Sequence, residues 1–157
     1  MSDSGVYAAI EAEVIATIGS LSSLSVAAII PCCDWEDLLA EVHPKGGGNQ
    51  GQLVGVQDIS MDNVAQYTKT ISPFWASCKI AVSYAAQNLR GSHAARVNGR
   101  LVMEAIRDRL HWHTSTVPGS GGNQYRCVSE RTMPIADSSA HVRVATYELK
   151  LLLGQPA

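Results

Sequence analysis

Apolar residues recur every three or four positions in three segments of the chain, a spacing that predicts helices with one buried side. The segments are 4–18, 34–43 and 95–111. Their predicted inner faces are Ile10, Val14 and Ile18 in the first helix, Trp35, Leu38, Leu39 and Val42 in the second, and Val102, Met103, Ile106 and Leu110 in the third. Asp34 is placed to cap the second helix, and Gly99 predicts a close backbone approach to the third.

Five other segments are short and apolar or alternate between apolar and polar residues, which predicts strands. They are 24–30, 52–57, a long segment from Trp75 to Tyr84, 125–131 and 142–153. In the long segment Cys78, Ile80 and Val82 alternate with smaller or more polar neighbours, which predicts one buried face. The last two segments predict a β-hairpin. Residues 58–74 follow neither period and are expected to be irregular.

The order of these elements predicts the fold class. Helix, strand, helix, strand, strand, helix, strand, strand is an α+β layout, in which a mostly antiparallel β-sheet has two or three helices packed on one face. A chain of 157 residues with 46% apolar residues is large enough for one core, so we expect a single domain over residues 1–157. Glu11 and Glu13 interrupt the apolar first segment, which argues against a signal peptide or a membrane span.

Charge is unevenly distributed along the chain. Residues 1–62 contain nine acidic residues and one lysine, whereas residues 63–157 contain eleven basic and five acidic residues. This asymmetry suits a basic face for nucleic acid, subunits that join acidic to basic surfaces, or a surface on which both signs mix. Arginine outnumbers lysine eight to four with few aromatic residues between, which favours protein contacts over sequence-specific nucleic-acid binding. The candidate contact residues in the basic part are Arg90, Arg96, Arg100 and Arg107.

Two glycine-rich loops have nearly the same sequence, PKGGGNQ at 44–50 and PGSGGNQ at 118–124. A phosphate-binding loop needs a lysine and a hydroxyl at the start of a following helix, but Gln52 and Leu53 hold those positions and a strand follows. The elements that precede the two loops differ, which argues against an origin of the two loops by duplication of one segment. We interpret both loops as mobile leads into strands that become ordered on contact with a partner. Their candidate contact residues are Gly47, Asn49, Gly122 and Asn123.

Cysteine and histidine are the remaining candidates for chemistry. The four cysteines have no C-x-x-C spacing, which indicates reduced thiols rather than a zinc site or disulfides. The segment HWH at 111–113 has no third ligand at metal-site spacing, so we interpret it as a helix end with two polar histidines and a buried Trp112. Neither a nucleophile elbow nor paired carboxylates are present. We therefore expect no catalytic residue, no metal and no cofactor.

Short motifs mark the middle and the end of the chain. They comprise Ala86, Asn88, Leu89, Arg90, Ala94, Ala95 and Arg96 around the start of the third helix, Val144, Tyr147 and Leu149 in the last strand, and the first helix from Ile10 to Ile18. In these motifs the chain resembles the tail-completion family of Mu-like phages and prophages. The resemblance spans roughly residues 5–153 in layout, and residues 82–111 and 142–153 in motif.

The resemblance implies a structural role in a virion. It implies a tail terminator, which caps the tail tube as a ring, here expected to be a hexamer, and forms the tail side of the head–tail joint. The implied partners are further copies of the chain, the tail tube and sheath proteins and the head–tail connector, with no membrane. The implied location is the tail or neck of a virion assembled in the bacterial host cytoplasm.

Two alternatives remain open at this point. A head–tail connector or neck adaptor is also structural but binds on the portal side. A small hydrolase belongs to another class and would use Cys127 or His113, within residues 111–127.

Overall fold

The computed structural model of the protein describes residues 3–19, 29–31, 34–45, 52–62, 74–87, 91–134 and 140–153. The described helices and strands are α1 (Asp3–Gly19), β1 (Ile29–Pro31), α2 (Trp35–Lys45), β2 (Gln52–Asp62), β3 (Phe74–Gln87), α3 (Gly91–Leu110), β4 (Arg126–Thr132) and β5 (Ala140–Leu153). Their order along the chain is the predicted one. The three predicted helices and the C-terminal hairpin are confirmed.

The strands form one sheet in the order β1-β2-β3-β5-β4. β1 pairs with β2 in parallel, and the other three neighbouring pairs are antiparallel, which confirms the α+β class. The prediction of an irregular segment is wrong for residues 58–62, because a register shift between Asp58 and Ser60 lets β2 continue its pairing with β3. The prediction is also wrong for Phe74, which is the first residue of β3. Residues 63–73, and residues 24–28 of the first predicted strand, lie outside the described residues.

α1 and α3 pack together on one face of the sheet. Their predicted stripes are buried, with Ile10, Val14 and Ile18 of α1 and Met103, Ile106 and Leu110 of α3 each 0% exposed. The sheet residues that meet them are Cys78, Ile80, Val82 and Tyr84 of β3 and Ala145, Tyr147, Leu149 and Leu151 of β5. The main core is thus built from the residues that the helical and alternating patterns predicted.

α2 packs on the opposite face of the sheet. Asp34 caps this helix as predicted, because its Oδ1 accepts a 2.8 Å hydrogen bond from the backbone N–H of Asp37. Leu38 and Val42 are buried in a second cluster with Ala85 of β3. Two helices therefore share one face as expected, and the third covers part of the other. The prediction of a single buried face on β3 is wrong, because α2 covers small residues on its second face.

Gly99 lies where α3 comes close to the sheet. A Cβ atom at this position would be 3.1 Å from the ring of Tyr84 and 3.1 Å from Cδ2 of His141. Tyr84 is held in place, since its hydroxyl donates a 2.7 Å hydrogen bond to Oε1 of Gln52. The predicted close approach is confirmed, and it accounts for a residue that otherwise weakens a helix interior.

Candidate interaction surface

The chain turns outward at Trp112, directly after α3. This residue has φ = 67°, a left-handed conformation that often ends a helix but that bulky side chains rarely adopt. Its N–H donates a 2.7 Å hydrogen bond to the carbonyl of Tyr125, whose own N–H donates a 3.0 Å bond to the carbonyl of His113. Trp112 is 58% exposed, so the prediction that it is buried is wrong. The left-handed turn points its side chain away from the direction that the helical period predicts.

Glu13 of α1 holds the segment that follows α3. Its carboxylate accepts hydrogen bonds of 2.6–2.7 Å from the hydroxyls of Ser115, Thr116 and Tyr125 and from the backbone N–H of Thr116. Burial alone would raise the pKa of Glu13, but the hydrogen bonds from Thr116, Tyr125 and Ser115 outweigh it and hold the pKa below 4.5. Burial and the bond to Glu13 in turn raise the pKa of Tyr125, so its hydroxyl remains a donor. Glu13 thus ties this segment to α1.

The second glycine-rich loop is a hydrogen-bonded turn that is docked on β5. Three of its glycines have a positive φ, among them Gly119 at 90°. The N–H of Leu152 donates a 2.7 Å hydrogen bond to the carbonyl of Gly119, and Nδ2 of Asn123 donates a 3.1 Å bond to the carbonyl of Lys150. The loop leads into β4 as predicted, but it is a turn hydrogen-bonded to β5 rather than a mobile segment, and its glycines allow the left-handed conformations of that turn. Residues 46–51 of the first glycine-rich loop lie outside the described residues.

His111, His113 and Cys127 are engaged within the fold. Nδ1 of His111 accepts a 2.9 Å hydrogen bond from the backbone N–H of Cys127, and the ring of His113 stacks on Tyr125 at a centroid distance of 6.3 Å. Burial, followed by the charge of Glu130, raises the pKa of the Cys127 thiol, which keeps it protonated and weakly nucleophilic. Within the described ranges no three His, Cys, Asp or Glu side chains come together as a metal site would require.

Arg107, one of the predicted contact residues, forms ion pairs inside the subunit. Oε2 of Glu130 on β4 lies 3.3 Å from Nη1 of Arg107, and Oε1 lies 2.6 Å from Nε of Arg143 on β5. The side chains of Glu130 and Arg143 are 14% and 23% exposed, so their contact is largely shielded from water, whereas Arg107 is 43% exposed. Arg107 therefore links α3 to the hairpin and shares the single negative charge of Glu130 with Arg143.

Replacing Arg143 by alanine is expected to lower the free energy of unfolding by about 1–2 kcal/mol, because Glu130 then keeps only the longer contact to Arg107. Arg126 is the matched control, since it pairs with Glu148 at 3.4 Å across the same hairpin but is 55% exposed. Its replacement by alanine is expected to cost less than about 0.5 kcal/mol. Urea denaturation of both variants measures the difference, and equal losses would contradict it.

An open groove lies between two exposed tryptophans. It consists of two clefts of about 410 and 190 Å³ that share Asn123 and Lys150 as lining residues. Trp75 borders the larger cleft and is 53% exposed, and Trp112 borders the smaller one together with Arg126. We call the surface formed by these five residues the Trp groove. Exposed tryptophan beside arginine is typical of protein contact sites.

The sheet register places the Trp groove opposite α1 and α3. Trp75 precedes Ala76, which pairs with the core residue Leu151, so Trp75 points to the other face. Lys150 on β5 shares this second face because it too alternates with Leu151. β3, β5 and β4 are consecutive in the sheet, so the groove crosses three rigid strands at the end of the sheet near the glycine turn.

The structure brings together only part of the predicted contact set. Asn123 lines both clefts, the neighbouring Gly122 is exposed, and Arg100 is exposed on α3, away from the groove. Arg107 belongs to the internal ion-pair network. Three predicted contacts, Arg90, Gly47 and Asn49, and the side chain of Arg96 lie outside the described residues.

The predicted contact residues did not include the other four residues of the groove, which are Trp75, Trp112, Arg126 and Lys150. A signal for Trp75 existed, since the alternation of β3 places this large aromatic residue on the side opposite Cys78 and Ile80. No comparable signal existed for Trp112, because its exposure depends on a left-handed backbone that the pairing with Tyr125 imposes.

Two further observations bear on the class of protein. None of the described helices has both the length and the apolar character needed to cross a membrane. No protein-family model matches the sequence, and no curated protein matches it either.

Proposed function

We propose that the protein is a structural subunit of a phage tail, a tail terminator that caps the tail tube as a ring of identical subunits and performs no catalysis. The observation that carries this proposal is the Trp groove. Two tryptophans that are more than half exposed border a cleft on a rigid sheet, an arrangement that suits a lasting protein contact.

The described parts of the two segments that contain the resembling motifs pack together, which supports the proposal. Residues 82–111 comprise the end of β3 and all of α3, and residues 142–153 comprise most of β5. β3 and β5 pair along their whole length, and α3 packs on both. The described parts of the two motif segments thus belong to one packed unit, and the Trp groove is the surface to which we assign the assembly role.

The state of the potential nucleophile supports a role without catalysis. A cysteine nucleophile needs a lowered pKa and a base that faces its sulfur. Burial instead raises the pKa of Cys127, and Nδ1 of His111 is occupied by the backbone N–H of that residue.

We expect the purified protein to form a ring of six subunits and to bind the ends of tail tubes. Light scattering coupled to size-exclusion chromatography would give six times the subunit mass of 16.8 kDa, and negative-stain microscopy would show rings alone and at tube ends. A protein that is monomeric at every concentration and does not bind tubes would overturn the proposal. Binding to the portal side of the connector without binding to tubes would point to the neck-adaptor alternative instead.

A further inference from the structure

A stripe of four exposed residues runs along the outer side of α3. Val97 and Leu101 are 40% and 57% exposed, and Glu104 and Asp108 are exposed as well. Their spacing of four, three and four residues places them on one line, opposite the buried side of the helix. We call these residues the α3 stripe, which is apolar at its N-terminal end and acidic at its C-terminal end.

We infer that the Trp groove of one subunit binds the α3 stripe of the next subunit, so that the two surfaces form the repeating contact of the ring. This inference rests on the proposed ring. It names which surfaces meet, and it commits to a second copy of this chain as the occupant of the groove.

The two surfaces are complementary in chemistry. The apolar end of the α3 stripe presents Leu101, which suits the larger cleft beside Trp75. The acidic end presents Asp108, and the other side of the groove carries Lys150 together with Arg126, which pairs with the lining residue Glu148 at 3.4 Å, so that basic charge is in excess there. Complementary charge of this kind fixes the orientation in which a helix lies on its partner.

The two surfaces also match in length. Leu101 and Asp108 are seven residues apart on α3, which corresponds to about 10 Å at 1.5 Å per residue. Trp75 pairs with Leu152, whereas Arg126 pairs with Glu148, so Arg126 is two strands and four residues away from Trp75, about 17 Å at 4.8 Å per strand and 3.4 Å per residue. Lys150 is nearer, one strand and two residues from Trp75 or about 8 Å, so a helix with Leu101 against Trp75 brings Asp108 close to Lys150.

The positions of the surfaces in the subunit favour a ring over a closed dimer. α3 covers one face of the sheet, and the Trp groove lies on the opposite face. A contact between two different surfaces leaves one groove and one stripe free in every pair of subunits. Further subunits can therefore add until the rotation between neighbours closes the ring.

Two substitutions of exposed residues test the inference, one in each surface. Trp75→Ala alters the groove and Leu101→Arg alters the stripe, and each is expected to weaken the subunit contact by about 30-fold or more, the effect of losing an interface hot spot. Val128→Arg is the matched control, because Val128 is 48% exposed on β4 outside both surfaces, and it should leave the ring intact. Circular dichroism melting verifies that all three variants fold.

Mixing the two defective variants gives the sharpest result. Each variant keeps one intact surface, so an equimolar mixture should form a one-to-one heterodimer and nothing larger, as measured by analytical ultracentrifugation. If either variant still forms the ring with the strength of the wild type, the inference is overturned and the proposed function is unaffected. Loss of tube binding by Trp75→Ala with an intact ring would assign the groove to the tube protein instead. A monomeric wild type would overturn the proposed function as well.

Discussion

Replacing Glu13 by alanine is expected to lower the free energy of unfolding by about 3–5 kcal/mol. The substitution removes the acceptor for the hydroxyls of Ser115 and Tyr125 and for the backbone N–H of Thr116. Ser115 and Tyr125 are 4% and 0% exposed, and a buried donor without a partner costs about 1–3 kcal/mol. Urea denaturation at neutral pH measures the loss. A loss below about 1 kcal/mol would mean that the segment after α3 does not depend on this carboxylate.

The same carboxylate makes stability depend on pH. Hydrogen bonds hold the pKa of Glu13 below 4.5 in the folded state, so the unfolded state binds the proton more tightly. The stabilisation is complete above the unfolded pKa and is lost as the pH falls through the folded pKa. The difference in stability between the wild type and Glu13→Gln should therefore stay constant from pH 7 down to the ordinary glutamate pKa of about 4.3 and shrink as the pH falls further.

Glu11→Gln provides the control for this pH dependence. It removes a carboxylate from the same helix but leaves the hydrogen bonds to Ser115, Thr116 and Tyr125 in place. Its stability should follow that of the wild type over the same pH range. A Glu13→Gln deficit that stays constant down to about pH 3 would contradict the assignment of the pH dependence to Glu13.

The fold was predictable from sequence because most elements bury one side only. Ile10, Val14 and Ile18 follow the helical period and are fully buried, as are Cys78 and Ile80 in β3. The prediction was wrong where tertiary contacts override a local pattern. A register shift extends β2 beyond residue 57, and α2 lies on the face of the sheet that the alternation of β3 had assigned to solvent.

The candidate interaction surface was less predictable because it depends on contacts between distant segments. Asn123 was among the predicted contact residues, and it does line the Trp groove. Trp112 reaches the groove only because the backbone of Tyr125 holds it in a left-handed turn. Glu13 supports that segment from more than 100 positions away in sequence, a separation that no local pattern encodes.

The glycines of the second loop are a case in which composition suggested the opposite of the structure. Gly-rich sequence is typical of flexible segments, and the loop was predicted to be mobile. In the structure the buried hydroxyl of Ser120 donates a 3.1 Å hydrogen bond to the carbonyl of Ser115, and Asn123 is bonded to β5. The loop is therefore part of the rigid support of the Trp groove, and a change in its backbone should reach the proposed subunit contact.

Replacing Gly119 by alanine is expected to lower the free energy of unfolding by about 3 kcal/mol or more. An L residue at φ = 90° is strained by about 1–3 kcal/mol, and a Cβ atom there would lie 2.7 Å from the backbone oxygen of Leu152. Because that oxygen belongs to β5, the turn has to move away and lose the 2.7 Å hydrogen bond between Leu152 N–H and the Gly119 carbonyl. Movement of the turn also displaces Asn123, so the ring should weaken together with the fold.

Gly122→Ala separates the steric clash from the backbone strain. Gly122 has φ = 79°, but a Cβ atom at this position meets no atom within 4 Å. Its replacement should therefore cost only the strain of a left-handed alanine, about 1–2 kcal/mol, and leave the turn docked on β5. Urea denaturation measures the stability of both variants, and the mass of the assembled oligomer in solution shows whether the ring is kept. If the two variants lose the same stability and keep the same ring, docking of the turn on β5 contributes nothing to the groove; a larger loss for Gly119→Ala, with a weaker ring, is the result that the contact with Leu152 requires.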